Sequence, residues 1–254
     1  MRFQKLGVVA FAVCLVGLAM LCTAAWAEEK AAEPKKVEEA WFEAMKDGIV
    51  FGRSHSISEQ VEYQGQPANH KVDEVTLTNQ KLADGSNATT RAETWTTLDG
   101  RLLKLEYTEN AKSGKTAVTA EVTGKRLTAT RTVEGKTDVH VINIPDGTIV
   151  YGYSGADESF VKLMGFKQGE KREFTVFSPD TMVLETCTIT AVGVRAFVHG
   201  NEEIQAYAYA EVDSDDPALK LMMIVSSDFK LLQVTASNGL RLVRVTKPTA
   251  EPGK

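Results

Sequence analysis

From about residue 41 to residue 246 polar and apolar side chains alternate in short runs. Leu103, Leu105 and Tyr107 fall on one side of a segment whose other side carries Lys104, Glu106 and Thr108. Val118, Ala120 and Val122 do the same against Thr119, Glu121 and Thr123, and Ile204, Ala206, Ala208 and Ala210 against Gln205, Tyr207, Tyr209 and Glu211. Period two sends successive side chains to opposite faces of a strand, so each run predicts one buried and one wetted face. That is the usual state of an antiparallel sheet. Valine, threonine and other β-branched residues dominate these runs, as pleated structure prefers. Turn pairs punctuate them at short intervals, among them Asp47-Gly48, Gln64-Gly65, Asp84-Gly85, Asp99-Gly100, Glu134-Gly135, Asp146-Gly147, His199-Gly200 and Asn238-Gly239. Asp-Gly and Asn-Gly supply the positive φ angles of two-residue hairpins. The pattern predicts a mainly β fold: one large, strongly curved antiparallel meander, a half-barrel or open barrel, over residues 38–246.

Four segments depart from alternation. Residues 156–165 carry Asp157 and Glu158 in a first turn, an apolar stripe at Phe160, Leu163 and Met164, and Gly165 as a stop, which predicts a short helix. Val37 to Met45 suits a helix by propensity, but a strand from about Trp41 is preferred, because Asp47-Gly48 then joins it to Ile49-Val50-Phe51 as a hairpin. Leu219 to Val225 is apolar on both faces, and so is much of Gly239 to Val245. A sheet wetted on one side does not show this. Either protein covers the second face, the 156–165 helix being the candidate, or that face lines an apolar cavity.

The first 27 residues read as an address. Arg2 and Lys5 precede an uncharged run from Leu6 to Cys22, and Ala25-Trp26-Ala27 offers the small-x-small cleavage pattern of an export signal. Cleavage between Ala27 and Glu28 is expected, with periplasmic or secreted localisation and no stable membrane span afterwards. An uncleaved anchor is the competing reading, since the run approaches the roughly 20 apolar residues of a spanning helix. A lipid-modified cysteine is disfavoured, because Cys14 follows Val13 and Cys22 follows Leu21. Residues 28–37 read as a disordered tether and 247–254 as a disordered tail, both rich in charge, alanine or proline.

Losing Arg2 and Lys5 takes 29 basic residues to 27 against 34 acidic, a net charge near −7. This disfavours nucleic acid and anionic membrane surfaces, which reward clustered cations. Cys187 is then the remaining thiol, so the mature domain holds no internal disulfide. It shares a face with Val183, Ile189 and Ala191 and reads as a buried small hydrophobe.

No chemistry-bearing motif survives inspection. His55, His70, His140 and His199 show no ligand spacing, so no metal and no cofactor is expected. Ser159-Phe160-Val161-Lys162 matches Ser-x-x-Lys without its companion elements, and Asp213-Ser214-Asp215-Asp216-Pro217 lacks the glycine and closing glutamate of a calcium loop. Carboxylates scattered in sequence but convergent in space would leave a hydrolase open. No catalytic residue is assigned.

The order of elements resembles bacterial exported β modules of uncharacterised function that are found ahead of transglutaminase-like domains. Met45-Lys46-Asp47-Gly48-Ile49-Val50-Phe51-Gly52-Arg53-Ser54-His55 is similar to that family's opening strand and turn. Trp95-Thr96-Thr97-Leu98-Asp99-Gly100-Arg101-Leu102 and Gly124-Lys125-Arg126-Leu127-Thr128 are similar to its next units. Phe166 to Thr181 resembles its central Gly, Phe-x-x-Phe-x-Pro stretch, and Ser226 to Leu232 its closing hairpin. The resemblance implies a large curved antiparallel sheet, kinship with periplasmic half-barrels that carry lipid or lipoprotein acyl chains, and no catalytic residues. No transglutaminase-like segment follows in this sequence, so an accessory role to one in the same chain is not expected.

These readings converge on a non-catalytic exported binding protein that holds an apolar small molecule, lipid or lipidated partner in a concave face. Phe160, Leu163, Met164, Met222 and Ile224 are the candidate ligand residues, the helix trio as a lid and the methionine-rich strand as an adaptable wall. An envelope protein-interaction module without a small ligand is the alternative, with the hydrolase third.

Overall fold

A computed structural model describes residues 37–82, 85–152, 158–213 and 220–247. The candidate export signal, all of the tether but Val37, all of the tail but Lys247, the start of the 156–165 helix and Ser214 to Pro217 of the acidic turn lie outside the described residues. Among the described residues fifteen strands form one open sheet. In chain order they are β1 (Val37–Lys46), β2 (Ile49–Tyr63), β3 (Gln66–Lys81), β4 (Asn87–Thr97), β5 (Leu102–Ala111), β6 (Gly114–Thr123), β7 (Arg126–Val133) and β8 (Lys136–Asn143). After β9 (Val150–Tyr151) comes the helix α1 (Glu158–Met164). Then follow β10 (Lys171–Ser178), β11 (Val183–His199), β12 (Glu202–Asp213), β13 (Lys220–Val225), β14 (Leu231–Ala236) and β15 (Arg241–Val245). The order across the sheet runs β8 to β1 consecutively, then β15 back to β9. Every pair is antiparallel except β9 with β10.

The meander expected from alternation is therefore present, and its turns are those the glycines required. Asp47 and Gly48 have φ of 52° and 80°, and Glu134 and Gly135 of 49° and 81°, both residues left-handed as a type I′ hairpin demands. Val37 to Met45 is strand rather than helix, and it begins earlier than Trp41: Val37 faces Glu59, so this residue belongs to the sheet and not to the tether. Bulges at Ala44/Met45, Trp95/Thr96, Ala191/Gly193 and Ile224/Val225 add local twist and curl the sheet.

One bulge corrects a face assignment. Because β5 carries an extra residue opposite Trp95/Thr96, Leu102 takes the buried position and Leu103 is half-buried. A second correction concerns β12. Tyr209, expected on a wetted face, is fully buried, and Glu211 is 7% exposed. Helix α1 and the Gly165-Phe166 segment after it pack over that face, so the alternation marks two buried sides of different chemistry.

Two cores result on the concave side. The first packs Phe160, Val161 and Met164 of α1 against Phe174, Ile189, Tyr209, Met223 and Val225. The second packs Leu105, Val118, Ala120 and Leu127 of β5–β7 against Val150, Phe177 and Met182. Sheet curvature thus folds the β5–β8 wing over β9 and β10. Outside β11–β14 a smaller cluster covers Ala206, Ala208, Ile224 and Leu232. Within the doubly apolar run at 219–225, Met223 and Val225 pack in the first core with α1, while Met222 and Ile224 lie in this outer cluster. Cys187 is 4% exposed within the first core.

Tyr209 ties the helix end to the sheet. Its Oη donates to Gly165 O at 2.7 Å, just past α1, where Gly165 (φ 69°) stops the helix. Burial first, then Tyr207 and Glu170, push its phenol up to about 12 from 10.0. A raised folded value means its stabilising contribution is complete below about 10 and is lost as pH rises through about 12. The stability of wild type against denaturant should fall across that alkaline window, while Tyr209→Phe, about 1–2 kcal/mol less stable at neutral pH, should show a shallower alkaline loss. Equal pH profiles would contradict this.

Candidate binding trough

The inner faces of β1–β4 and β15 meet the cores only at their margins, Phe42, Ala40 and Leu242 at the first and Ala92 at the second. They form the wall of a trough of about 1000 Å³, with α1 across one side. Register explains the lining. Ser54, Ser56 and Ser58 alternate with His55 and Ile57 along β2, so the serines share the concave face. Ser54 stands between Phe42 and Val75, Ser56 between Ala40 and Asp73, and Ser58 between Glu38 and Lys71. One strand further, Thr90, Ala92 and Thr94 continue the same rows. Toward β15 and α1 apolar side chains, Phe42, Leu242, Leu231, Phe160 and Leu163, enter the lining beside the charged Glu158, Lys162, Lys230 and Arg244.

Apart from Arg244, which bonds a backbone carbonyl, the cations lining the trough are held in ion pairs. Lys71 Nζ lies 3.1 Å from Asp73, and Lys162 Nζ lies 3.0 Å from Glu158 and 3.8 Å from Glu38. Glu158 also accepts from Leu231 N at 3.0 Å, pinning α1 to β14. Arg244 donates to Leu231 O at 3.2 Å with its guanidinium 6.0 Å from the Phe42 ring. Lys230 binds Asp228 at 2.8 Å, and with Ser226 it holds that carboxyl down to about 2.

The convex face of β2 and β3 carries two of the histidines. His55 stacks on its cross-strand partner Trp41 at 3.7 Å and meets Glu39 at 2.8 Å, a bond that holds the Glu39 carboxyl below its ordinary range. His70 stacks on Trp95 at 4.6 Å and bridges Glu59 and Glu93 at 3.4 and 3.3 Å. Among the described residues no group of three histidine, cysteine or acidic side chains is placed to hold a metal ion.

Of the five residues singled out from sequence, Phe160 and Leu163 line the trough. Met164 is in the first core beside them, 9% exposed. Met222 and Ile224 belong to the outer cluster, because β13 sends its even-numbered residues to the convex side. The five are therefore not brought together. Serine at every second position of β2 is the sequence signal for the wall. Alternation alone does not single it out, because hydroxyls on a strand face usually mark its wet side.

Fold and trough together define a β-barrel-like protein whose open sheet leaves a half-polar trough on its concave face. No family model matches the chain, and no curated protein matches it. Among solved structures it is similar to a β-barrel-like protein of a domain of unknown function, DUF1849, from Brucella abortus, at 12% identity and TM-score 0.49 over 82% of this chain and 94% of that one. It is also similar to a DUF1089 family protein from Pseudomonas aeruginosa, at 12% identity and TM-score 0.33 over 82% and 92%. Among the described residues no helix is long and apolar enough to cross a membrane.

Proposed function

We propose that this protein is an exported, non-catalytic binding protein that holds an elongated amphiphilic ligand in the concave trough. The observation that carries the reading is a space of about 1000 Å³ lined by apolar side chains at α1 and β15 and by hydroxyls on β2 and β4. Ligand sites are concave, largely preformed and fixed by a few placed polar groups, and this volume stands at the upper end of that range. Sequence leads one to expect a wholly greasy interior, whereas the trough has an apolar end and a hydroxyl wall. The apolar portion of the ligand therefore rests against Phe160, Leu163, Leu231 and Leu242. The lining acids are held in ion pairs, which favours binding over acid–base chemistry. Export rests on Arg2, Lys5, the apolar run and Ala25-Trp26-Ala27, and the mass of the mature chain should place its first residue at Glu28.

Ser56→Trp fills the middle of the trough without touching either core. Titration with octyl-chain detergents below their micelle-forming concentrations should give saturable binding to wild type and none to the variant, with thermal unfolding unchanged. Wild type that binds none of them defeats the reading.

A second reading, an envelope interaction module, is favoured by β8. It ends the sheet and exposes almost its whole length, with Val139 and Val141 at 62% and 49%. A sheet edge of this kind offers backbone groups to an added strand.

A further inference from the structure

We infer that the part of the ligand lying on the β2–β4 wall is a neutral, polyhydroxylated headgroup, a saccharide. This rests on the trough reading above and names the chemistry its polar half selects. Ser54, Ser56 and Ser58 on β2 and Thr90, Thr94 and Thr96 on β4 line the trough, and none of these hydroxyls has a protein partner among the described residues. Each is a donor and an acceptor at once. Sugar hydroxyls have the same double character, whereas an ammonium group only donates and a phosphate diester only accepts.

Charge selects in the same direction. Lys71 is already held by Asp73, Lys162 by Glu158 and Glu38, and Lys230 by Asp228. On the β2–β4 wall the lining cation is Lys71, so a charged headgroup there competes with the Lys71–Asp73 pair, 25% and 28% exposed, at a cost a neutral one avoids, while Arg244, bonded to Leu231 O, stands at the β15 end. What the wall offers without rearrangement is hydroxyl hydrogen bonding. Dimensions agree: Ser54 to Ser58 spans about 13 Å at strand rise, and β2 to β4 about 10 Å, room for one or two pyranose rings. Ala92 and Tyr107 set apolar surface in that floor for the faces of such rings.

The test keeps the tail constant and changes the head. Full-length mature protein is titrated calorimetrically with octyl maltoside, octyl phosphocholine, octylammonium and free maltose, all below micelle-forming concentrations. Octyl maltoside should bind tighter than the two charged detergents by about tenfold or more, the effect of one or two hydrogen bonds. Ser54→Ala/Ser56→Ala/Ser58→Ala should erase that preference, bringing octyl maltoside down to the level of the others, with the thermal midpoint unchanged. Free maltose bound as tightly as octyl maltoside would support the saccharide and identify a free glycan as its source; weaker maltose would support a glycolipid-like source. Equal affinity for the three detergents would overturn the saccharide inference while leaving the trough reading standing. Failure of every ligand to bind would defeat both.

Discussion

Phe160→Ala should lower the unfolding free energy by about 3–5 kcal/mol, the range for removing a buried aromatic ring. Phe160 is 2% exposed and stacks on Phe174 at 4.6 Å, while Tyr151 meets it edge-on at 5.8 Å. Its ring joins α1 to β9 and β10, and α1 spans only Glu158–Met164, too short to be stable without tertiary contacts. Loss of the ring therefore removes more than transfer energy: it frees the helix that borders the trough. Chemical denaturation should show the lower midpoint, and proteolysis should cut the variant near α1 in native conditions. A loss below about 1 kcal/mol, outside that range, would mean that α1 is not held by this cluster.

Gly152→Ala should cost about 1–3 kcal/mol through overpacking. Gly152 follows β9 and lies against β4, where an added Cβ would stand 2.7 Å from Thr96 Cγ2 and 2.9 Å from Thr94 Cγ2. Both methyls belong to β-branched side chains with little rotamer freedom, so neither yields easily. Gly152 N also donates to Gly100 O at 3.3 Å, a bond that joins the β9 edge to the β4–β5 turn. The diagnostic result is relief: in Thr94→Ser/Thr96→Ser, which lacks both methyls, the same alanine should cost little. A double-mutant cycle on thermal or denaturant unfolding measures that coupling. Additive losses would contradict the close approach of β9 to β4.

Much of the fold is legible in the residue pattern. Alternation from residue 41 onward is a local property, since whatever faces a strand, neighbouring side chains must point to opposite sides. The Asp47-Gly48 hairpin and the helix stop at Gly165 are equally local, and both are found where the pattern predicts them. Where local reading fails, a distant element has intervened. Leu102 displaces Leu103 from the core because a bulge opposite Trp95 shifts the phase by one residue. Alternation puts Tyr209 on a wet face, yet α1 and the Gly165-Phe166 segment after it pack over it. Chemical similarity groups Met222 and Ile224 with Phe160, whereas the pleat of β13 separates them. The trough's hydroxyls escape such a reading because serine looks the same on a convex face as on a concave one.

Hairpins, the alternation of side chains and the places of the turns follow from the order of residues, because φ preference and side-chain direction are settled between near neighbours. Which face of each strand became the inside was settled only by the assembled sheet. That choice depends on the direction in which fifteen strands curl, set by bulges and by the packing of α1 and β9–β10. Curvature is a sum over the whole sheet, so no single segment discloses that Ser54, Asp73 and Thr94 come to line one wall.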